Sequence, residues 1–392
     1  MNGADRKVKG RRHPLVLVHR LPHPLAFAAF ALLSFTIESS LGEIKIGAMT
    51  CMTGALSTFG VSSVQGAKLA VEEINAAGGT IGQPIQLIVE DNGSKAGETA
   101  TITRKLISQD KVVAILGDLT SSATMEGAPL AQAAKVPLLT PSATNIAITK
   151  IGNYIFRSCF IDPFTGKIMA KFALDRLKAK QAIVMTDVKQ DYSVGLTDAI
   201  RQYFSENGAG TLQSFSYSSG DTNFRTQLTG VRMANPDVVF LPGYYTEAAL
   251  ILRQARQLGI TCPFVGGEGW DSPALVEVAG KAAEGNYYTD HFSAADPEPR
   301  VQRFVQTYRA KYGALPDALA ALWYDGARLL ALAVERAGST ETAKIRDALA
   351  ATRDFEGVTG RISIDEDRNA SKPGVILKID NGQPEMVQQV AP

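Results

Sequence analysis

From residue 43 onward, short apolar runs alternate with longer segments of helical periodicity. Residues 44–49, 85–89 and 112–116 are mostly apolar runs of five or six residues, the length of β-strands that are buried on both faces. Residues 63–77 instead place apolar side chains three or four positions apart, and Gly78-Gly79 follows them. This spacing predicts a helix that ends at a left-handed glycine. The alternation predicts an α/β fold with a parallel sheet.

The alternation continues along the chain and predicts many further elements. Helices are predicted at residues 96–107, 123–134, 166–177, 196–206, 224–233, 246–258, 300–311, 316–337 and 342–351. Strands are predicted at residues 137–139, 154–156, 182–186, 211–215, 238–241, 263–266, 361–364 and 375–379. Two successive α/β series predict two doubly wound, Rossmann-like lobes. The helix-rich tail predicts that the chain returns to the first lobe by a short crossing.

Residues 1–42 differ from the rest of the chain. A basic stretch through Arg20 precedes an apolar run at residues 24–35, and small residues follow up to Gly42. This order is typical of a secretory signal peptide, and the run is shorter than the ~20 residues of a membrane-spanning helix. No Cys of a lipoprotein lipobox follows the run, and Arg11-Arg12 fits a twin-arginine signal poorly. We expect cleavage near Gly42 and an exported protein that does not span the membrane.

The overall charge argues against one class of partner and hides an asymmetry. Forty basic and 39 acidic residues give a net charge of +1, so the chain lacks the basic surplus that nucleic-acid binding favours. Residues 1–42 hold six basic and two acidic residues, so the remainder carries a net charge of −3. The same segment holds three of the four histidines and leaves only His291 beyond it. We therefore expect no nucleic-acid partner and few options for histidine chemistry.

Motifs of common catalytic and cofactor sites are missing from the sequence. There is no Walker A motif, no H-E-x-x-H and no G-x-G-x-x-G at the first helix. Residues 191–195 have Asp where a nucleophile elbow needs its first Gly, and a Ser-His-Asp triad would have to use His291. Cys51, Cys159 and Cys262 lack metal-ligand spacing. We predict no enzyme activity, cofactor or metal site, and we favour free thiols.

The candidate site lies where strands end, because ligands of parallel α/β folds bind beyond the carboxyl ends of the strands. After the strand at 112–116, residues 117–124 bring hydroxyls and backbone N–H groups to a helix N-terminus, which favours an anion. Two interpretations stay open for this segment. Either Ser121 and its neighbours bind a carboxylate, or Ser and Thr side chains only cap the helix.

Three further strand exits carry polar or aromatic residues. They are Thr140–Asn145, Pro242–Tyr245 and Gly267–Trp270. Glu268 stands between two glycines, where it either points into a cleft and binds a ligand ammonium or remains a solvated loop acid. Trp270 either contacts the ligand or packs in the core. Four such exits on the same side of their sheets favour one binding cleft between the lobes.

Nine segments carry a resemblance to a known family. They are Glu43–Gly47, Thr53–Gly60, Ile74–Gly79, Ser121-Ser122, Thr140–Thr144, Asp191-Tyr192, Gly243-Tyr244, Leu252–Arg256 and Gly267–Gly269. With these segments the chain resembles the type I periplasmic solute-binding proteins of ABC importers, specifically the leucine/isoleucine/valine-binding group, over essentially all of residues 43–392. The resemblance implies two Rossmann-like lobes with parallel sheets, joined by a three-strand hinge.

The resemblance also implies a set of ligand-binding residues. They are Phe59, Ser121, Ser122, Ser142, Ala143, Thr144, Tyr192, Tyr244 and Glu268. By resemblance, Ser121 binds the α-carboxylate of the ligand through its hydroxyl and backbone N–H. By the same resemblance, the backbone carbonyl of Ser142 receives the α-ammonium, Glu268 pairs with it from the other lobe, and Thr144 contacts the same head group. Tyr192 and Tyr244 close over the ligand.

Phe59 departs from the pattern of the branched-chain group. That group often has Tyr at this position, so a hydroxyl is lost and the pocket wall becomes more apolar. The side-chain specificity of the family is therefore the least transferable part of the resemblance.

The domain boundaries and the function follow from the same resemblance. We expect a signal peptide at 1–42, lobe one at 43–162 and 292–370, and lobe two at 163–291 and 371–392. The chain is expected to be a periplasmic monomer that binds a small amino acid, branched-chain or otherwise apolar, by Venus-flytrap closure. It would then deliver this ligand to the permease subunits of an ABC transporter.

Alternatives with the same fold remain at this stage. Relatives of the family bind amides, urea or aromatic carboxylates, which lack an α-ammonium. The presence of Glu268 together with Ser121 and Thr144 favours an amino acid. Other relatives are sensors that report a ligand to a regulator instead of feeding a transporter, and the sequence does not separate these two roles.

Overall fold

The computed structural model describes Leu17, residues 42–208 and residues 210–392. The predicted signal peptide therefore lies almost entirely outside the described residues. Among the residues that are described, no helix combines the length and the hydrophobicity needed to cross a bilayer.

The first part of the chain forms a five-stranded parallel sheet with helices. Its elements are β1 Ile44–Thr50, α1 Ser57–Ala76, β2 Ile85–Asp91, α2 Glu98–Lys105, the π-helical turn Leu106–Asp110, β3 Ala114–Leu116, α3 Ser121–Ala134, β4 Leu138–Thr140, α4 Ala147–Lys150 and β5 Ile155–Arg157. The strand order is β2-β1-β3-β4-β5, and Ile46 of β1 lies between Leu87 and Ala114. Because every connection passes through a helix or a helical turn, all strands point the same way.

The second part of the chain builds a seven-stranded sheet. Its first elements are α5 Asp162–Asp175, β6 Gln181–Asp187, α6 Asp191–Glu206, β7 Thr211–Tyr217, α7 Arg225–Ala234, β8 Val238–Phe240, α8 Tyr245–Gln257, β9 Phe264–Gly266, the 3₁₀ turn Glu268–Trp270, α9 Pro273–Ala279, the 3₁₀ turn Gly280–Ala283 and β10 Tyr287–Asp290. The strand order is β15-β14-β10-β9-β8-β6-β7, and strands β6 to β10 are parallel.

The last two strands of this sheet differ from the predicted parallel arrangement. The antiparallel hairpin consists of β14 (Gly374–Asp380) and β15 (Gln383–Val390). Its two-residue loop, Asn381-Gly382, has positive φ angles of 51° and 72°, as the hairpin turn that matches strand twist requires. The sequence analysis predicted β14 but missed β15, because nearly all residues of β15 are exposed and show no buried apolar face.

The tail between the two sheets contributes three helices and a small sheet. These elements are α10 Pro299–Tyr312, α11 Ala318–Ala337, α12 Thr342–Ala350, β11 Phe355–Gly357, β12 Gly360–Ile364 and β13 Ala370–Ser371. Helix α11 packs against α1, β3 and β4. A Cβ atom on Gly66 of α1 would collide with the carbonyl of Ala320, so the glycine permits this close approach. The first turn of α11 thereby lies beside the carboxyl ends of β3 and β4.

The chain passes between the five-stranded and seven-stranded sheets three times. The crossings follow β5, β10 and β13. The predicted α/β fold of two Rossmann-like lobes with three connecting segments is confirmed. The strand exits of the two sheets face each other.

Candidate functional site

The N-terminus of α3 presents Ser121 at the carboxyl end of β3. The helix is capped by Thr120, whose Oγ1 accepts a hydrogen bond from the backbone N–H of Ala123 (3.4 Å). The hydroxyl of Ser121 instead accepts the backbone N–H of Asn145 (3.3 Å) and lines a cavity. Capping therefore explains Thr120 and not Ser121. The first N–H groups of α3 have no intrahelical acceptor and favour an anion, and the hydroxyl of Ser121 lies beside them with its own donor free to rotate.

The loop after β4 forms the neighbouring wall of this cavity. Ser142 Oγ donates a hydrogen bond to the carbonyl of Leu119 (2.9 Å) and accepts one from Trp323 Nε1 (3.3 Å). Thr144 also lines the cavity, and its buried Oγ1 meets no described group in hydrogen-bond geometry. The loop thus holds Ser142 firmly and leaves the hydroxyl of Thr144 for a ligand.

The guanidinium of Arg157 supports this loop from behind. Its Nη1 donates to the carbonyl of Ala143 (3.0 Å), and its Nη2 donates to the carbonyl of Asn145 (2.6 Å). Ala143 is buried in the core that surrounds the five-stranded sheet and does not line the cavity. The structure therefore places Ala143 in the support of the wall and not on its surface.

Glu268 enters the cavity from the opposite sheet, on the 3₁₀ turn that follows β9. Its side chain is 9% exposed, and neither carboxylate oxygen has a hydrogen-bond partner among the described residues. Burial, with a smaller contribution from the nearby charge of Asp162, raises the pKa of Glu268 to about 8. The hydroxyls of Thr144 and Tyr192 are near enough to oppose this shift in part. A buried, uncompensated carboxylate is a strong site for a cation.

Three aromatic rings close the side of the cavity. Tyr192, in the first turn of α6, stacks on Tyr244 with ring centroids 5.3 Å apart. Tyr244 precedes α8 and contacts the edge of Phe59 on α1 at 6.2 Å. The hydroxyl of Tyr192 accepts the backbone N–H of Gly269 (3.4 Å). The three rings therefore connect the N-termini of α6 and α8, beside the seven-stranded sheet, to α1 beside the five-stranded sheet.

The structure brings seven of the nine predicted residues into one cavity. Those that line it are Phe59, Ser121, Ser142, Thr144, Tyr192, Tyr244 and Glu268, with Leu119, Gly269 and Leu319 as additional lining residues. Ala143 and Ser122 are not among them; the hydroxyl of Ser122 accepts the backbone N–H of Asp191 (3.1 Å). The space is small: about 300 Å³ is free of protein atoms when its opening to solvent is counted, and only about 20 Å³ of it is open to the centre of a water molecule. It is too small for a polymer.

Leu119 and Leu319 were not predicted from the sequence. Leu119 lies within the polar run at 117–124, and Leu319 belongs to the first turn of α11, where an apolar residue is expected to face the core. The two leucines come together because α11 packs against β3. These segments are far apart in the sequence, so the sequence alone does not reveal the contact. The two leucines give the cavity an apolar side in addition to its polar end.

Asp162 is a second buried carboxylate that the sequence analysis did not select. It begins α5, its backbone N–H donates to the carbonyl of Thr144 (3.1 Å), and its carboxylate oxygens have no hydrogen-bond partner among the described residues. Burial raises the pKa of Asp162 to about 7, which the charge of Arg157 partly opposes. Asp162 does not line the cavity, but its charge makes Glu268 harder to ionise.

Contacts across the cleft hold the two sheets in a closed arrangement. Thr58 Oγ1 and Ser272 Oγ are hydrogen bonded at 3.0 Å, and the hydroxyl of Tyr245 donates to the carbonyl of Ala55 (2.9 Å). Asn145 Nδ2 donates to the carbonyl of Asp191 (2.8 Å). These bonds join elements of the five-stranded sheet to elements of the seven-stranded sheet.

The remaining candidates of the sequence analysis lie outside the cavity. His291 is buried and stacks on Phe160 at 3.6 Å, and neither ring nitrogen has a partner among the described residues. Trp270 is 1% exposed and donates its indole N–H to the carbonyl of Leu241 (3.1 Å), so it packs in the core. Within the described part of the chain, no group of three or more His, Cys, Asp or Glu side chains is arranged for a metal ion.

Comparison with known proteins gives consistent results over nearly the whole described chain. A profile of the family described as "Periplasmic binding protein" matches residues 43–384. The leucine-, isoleucine-, valine-, threonine- and alanine-binding protein of Pseudomonas aeruginosa is 29% identical over 342 residues, which is 87% of this chain and 91% of that protein.

Three solved structures are similar in fold. A leucine binding protein, LivK, from Thermotoga maritima has a TM-score of 0.86 and 40% identity, over 89% of this chain and 99% of that one. LivJ from Streptococcus pneumoniae, in complex with isoleucine, has a TM-score of 0.84 and 37% identity, over 90% and 100%. A solute binding protein from Rhodopseudomonas palustris BisB5, in complex with 3,4-dihydroxy benzoic acid, has a TM-score of 0.78 and 26% identity, over 89% and 97%.

Proposed function

Because the chain belongs to the periplasmic binding protein family, we propose that it is the substrate-binding component of an ABC importer and captures a small apolar amino acid. The observation that carries the proposal is the buried carboxylate of Glu268, which shares one cavity with the N-terminus of α3. A zwitterionic head group complements this pair. Its carboxylate would meet Ser121 and backbone N–H groups, and its ammonium would meet Glu268 and Thr144 through charge-assisted hydrogen bonds.

The same carboxylate couples ligand binding to closure. In an open cleft, hydrated Glu268 is ionised at pH 7, whereas closure raises its pKa to about 8. Without a cation, closure at pH 7 costs about 3 kcal/mol, because the acid must be protonated 2.5 pH units above its ordinary pKa of 4.5. A ligand ammonium removes this cost. Closure is thereby selected by a ligand that carries the ammonium.

The apolar side of the cavity supports an apolar ligand side chain. Phe59, Leu119 and Leu319 line it together with the faces of Tyr192 and Tyr244. Three of the four relatives described above are named for leucine, isoleucine or valine or are in complex with isoleucine, and the wall of this chain offers an apolar surface for such a side chain. Fully burying a side chain of this size contributes about 1.5–3 kcal/mol, which a polar side chain would not gain.

The wider role rests on the family. Lobe one would comprise residues 43–162 and 292–370, and lobe two residues 163–291 and 371–392, so that the three crossings form the hinge. In this proposal the protein works as a monomer in the periplasm, and its closed form docks on the permease subunits of the transporter. Micromolar affinity, about −8 kcal/mol, would be ordinary for such a site.

Thermal denaturation with a ligand panel tests the amino-acid assignment. The panel contains leucine, isoleucine, valine and alanine, together with isocaproate, which is leucine without its ammonium, and benzoate. Leucine at 100 times its Kd should stabilise the protein by about 2.7 kcal/mol, which raises Tm by roughly 4 °C for a chain of this size. A shift with isocaproate or benzoate and none with leucine would contradict the assignment.

An aromatic carboxylate is the second candidate ligand. The 26% identical relative in complex with 3,4-dihydroxy benzoic acid favours it, and the stacked rings of Tyr192 and Tyr244 would accommodate an aromatic ring. Such a ligand leaves Glu268 without a counter-charge, so its binding should be accompanied by proton uptake at pH 7. Isothermal calorimetry in two buffers of different ionisation enthalpy separates this case from the amino-acid case.

A sensor with the same ligand chemistry is the remaining alternative. Neighbouring genes for permease and ATPase subunits would favour transport, and their absence together with a nearby membrane receptor gene would favour sensing. Uptake of labelled leucine by cells with and without the gene then decides between the two roles.

A further inference from the structure

The turn that carries Glu268 is bound on its other side to helix α11. Asp271 follows this turn directly, and its backbone N–H donates to the carbonyl of Glu268 (3.1 Å). One carboxylate oxygen of Asp271 accepts the backbone N–H of Ala318 (2.7 Å), and the other accepts the hydroxyl of Tyr288 (3.2 Å). Both Asp271 oxygens are therefore used, and one of them is bound to the first residue of α11.

This hydrogen bond connects the two sides of the cleft. The turn at 268–270 contacts β10 and α8 of the seven-stranded sheet, whereas α11 packs against α1, β3 and β4. One residue beyond Ala318, Leu319 lines the ligand cavity. Asp271 thus joins the segment that carries Glu268 to the helix end that supplies the apolar wall.

The chemistry of a helix end makes this contact strong. The first N–H groups of α11 have no intrahelical acceptor. Asp317, the N-cap, accepts the N–H of Ala320 (2.8 Å), and Asp271 accepts that of Ala318 from the opposite side. A carboxylate at this position also gains from the partial positive charge of a 20-residue helix. Both acids therefore accept N–H groups at the N-terminus of α11. Asp317 does so from the same side of the cleft, whereas Asp271 does so from the opposite side.

We propose that Asp271 is a positioning residue that couples occupation of the ligand cavity to closure, by holding the Glu268 turn against the N-terminus of α11 only when the cleft is closed. The inference rests on the proposed function for its ligand, although the contact itself does not depend on which ligand is bound. In the open form, the Asp271 carboxylate and the Ala318 N–H would return to water.

The groups around Asp271 show why a neutral replacement is informative. Tyr288 and Asp290 face it from β10 and Asp317 from the N-cap of α11, while the charge of Glu268 acts on Asp290. Burial raises the pKa of Asp271, and burial together with the charge of Asp271 raises the pKa of Asp317 to about 7. Removing the charge of Asp271 relieves this crowding, so a loss of closure in the variant would come from the lost contact and not from added repulsion.

Ala318→Pro removes the donor, whereas Asp271→Asn weakens the acceptor, because a neutral amide oxygen replaces the charged carboxylate oxygen. Proline is tolerated at the first position of a helix, and Asp317 before it already has an extended backbone (φ −85°, ψ 177°). Both variants should weaken leucine binding about tenfold, mainly through faster dissociation. The matched control, Asp317→Ala, should lower the Tm of the ligand-free protein by about 2–4 °C through loss of the cap and leave the Kd for leucine unchanged.

Tryptophan fluorescence can follow the leucine kinetics without a label. The chain has two tryptophans; Trp270 lies in the Glu268 turn, and Trp323 is bonded to Ser142 of the cavity wall. If Asp271→Asn and Ala318→Pro keep the wild-type Kd while Tm falls equally with and without leucine, Asp271 is only structural and the inference is overturned. If the wild type itself fails to bind leucine, the proposed function fails, and the following measurement decides the inference.

Disulfide trapping measures closure without any ligand. The hydroxyl oxygens of Thr58 and Ser272 are 3.0 Å apart across the cleft, so cysteines at these positions, in a Cys262→Ser background, should cross-link only in the closed form. Adding Ala318→Pro, which removes the N–H that Asp271 accepts, should slow cross-linking at least fivefold, whereas adding Asp317→Ala should not. Equal rates with and without Ala318→Pro would refute the coupling.

Discussion

The substitution Glu268→Gln separates the two roles that the carboxylate is proposed to play. Glutamine keeps the size of the side chain and removes its charge. In the wild type, the ligand ammonium would pair with a buried carboxylate that has no other partner among the described residues. Without that charge, the ammonium is buried unpaired, which costs about 3–5 kcal/mol. Isothermal calorimetry with leucine at pH 7 should therefore show a Kd at least 100-fold higher than in the wild type.

The same substitution should change the ligand-free protein in the opposite direction. The closure cost of about 3 kcal/mol at pH 7, worked out above from the raised pKa, vanishes when the acid is replaced. The ratio of closed to open ligand-free protein should then rise by about two orders of magnitude. Small-angle X-ray scattering would detect this change as a smaller radius of gyration for ligand-free Glu268→Gln.

The sign of the pH dependence follows from the direction of the shift. The closed form binds the extra proton between the ordinary pKa of 4.5 and about 8, so its ligand-free population is favoured at acidic pH and declines as pH rises through that range. Wild-type protein without ligand should become more compact as pH falls from 8 to 5, and Glu268→Gln should respond less, because only Asp162, whose pKa is raised to about 7, still titrates there beside the cavity. A leucine Kd changed less than threefold, or a radius of gyration unchanged by both pH and substitution, would refute the reasoning.

Three further predictions concern other residues. Ser121→Ala should weaken leucine binding about tenfold, the effect of losing one hydrogen bond to a charged group, and should lower the Tm of the ligand-free protein only slightly, because the part-buried N–H of Asn145 loses its acceptor. Asp325→Ala removes a buried carboxylate that accepts three hydrogen bonds from residues 358–359, so urea denaturation should show a loss of about 3 kcal/mol in unfolding free energy. Of the three free cysteines, only Cys262 is not fully buried. It should react first with a thiol reagent in the native protein, and reducing agent should leave Tm unchanged.

The strand exits made most of the candidate site predictable from the sequence. Parallel strands end on one side of their sheet, so the polar runs around Ser121, Thr144 and Glu268 were expected to converge. They do so in the structure, together with the aromatic residues Tyr192 and Tyr244.

The starts of α5 and α6 were predicted several residues too late, and the residues near the site explain why. The apolar pattern placed the start of α6 at Leu196 and that of α5 at Gly166, whereas the helices begin at Asp191 and Asp162. The first turns of these helices face the cleft and carry polar or aromatic residues, which interrupt the apolar periodicity. Polar side chains near the cleft therefore make the first turn of such a helix hard to recognise from its apolar pattern.

Neighbouring residues in one motif did not share one environment. Ser122 follows Ser121 in α3 and is rotated away from the cavity by the helix, so that it meets Asp191 instead. Ala143 lies between Ser142 and Thr144, but Arg157 draws its carbonyl toward the core. The motifs thus predicted which segments line the cavity. Which residue of each segment faces the cavity depends on the turn of helix α3 and on the hydrogen bonds from Arg157.

The arrangement of charges and apolar walls implies unequal selectivity along the proposed ligand. At the head group, a ligand that lacks the ammonium leaves the buried carboxylate of Glu268 unpaired. Such an unpaired buried group costs enough free energy for the site to reject the analogue strongly. At the side chain, Phe59, Leu119 and Leu319 offer only apolar contact, and one methylene in such a pocket changes binding by only about 1–3 kcal/mol. The replacement of a tyrosine hydroxyl by the plain ring of Phe59 removes a group that could have sharpened this choice. The proposed site should therefore be strict for the α-amino acid head group and tolerant among apolar side chains.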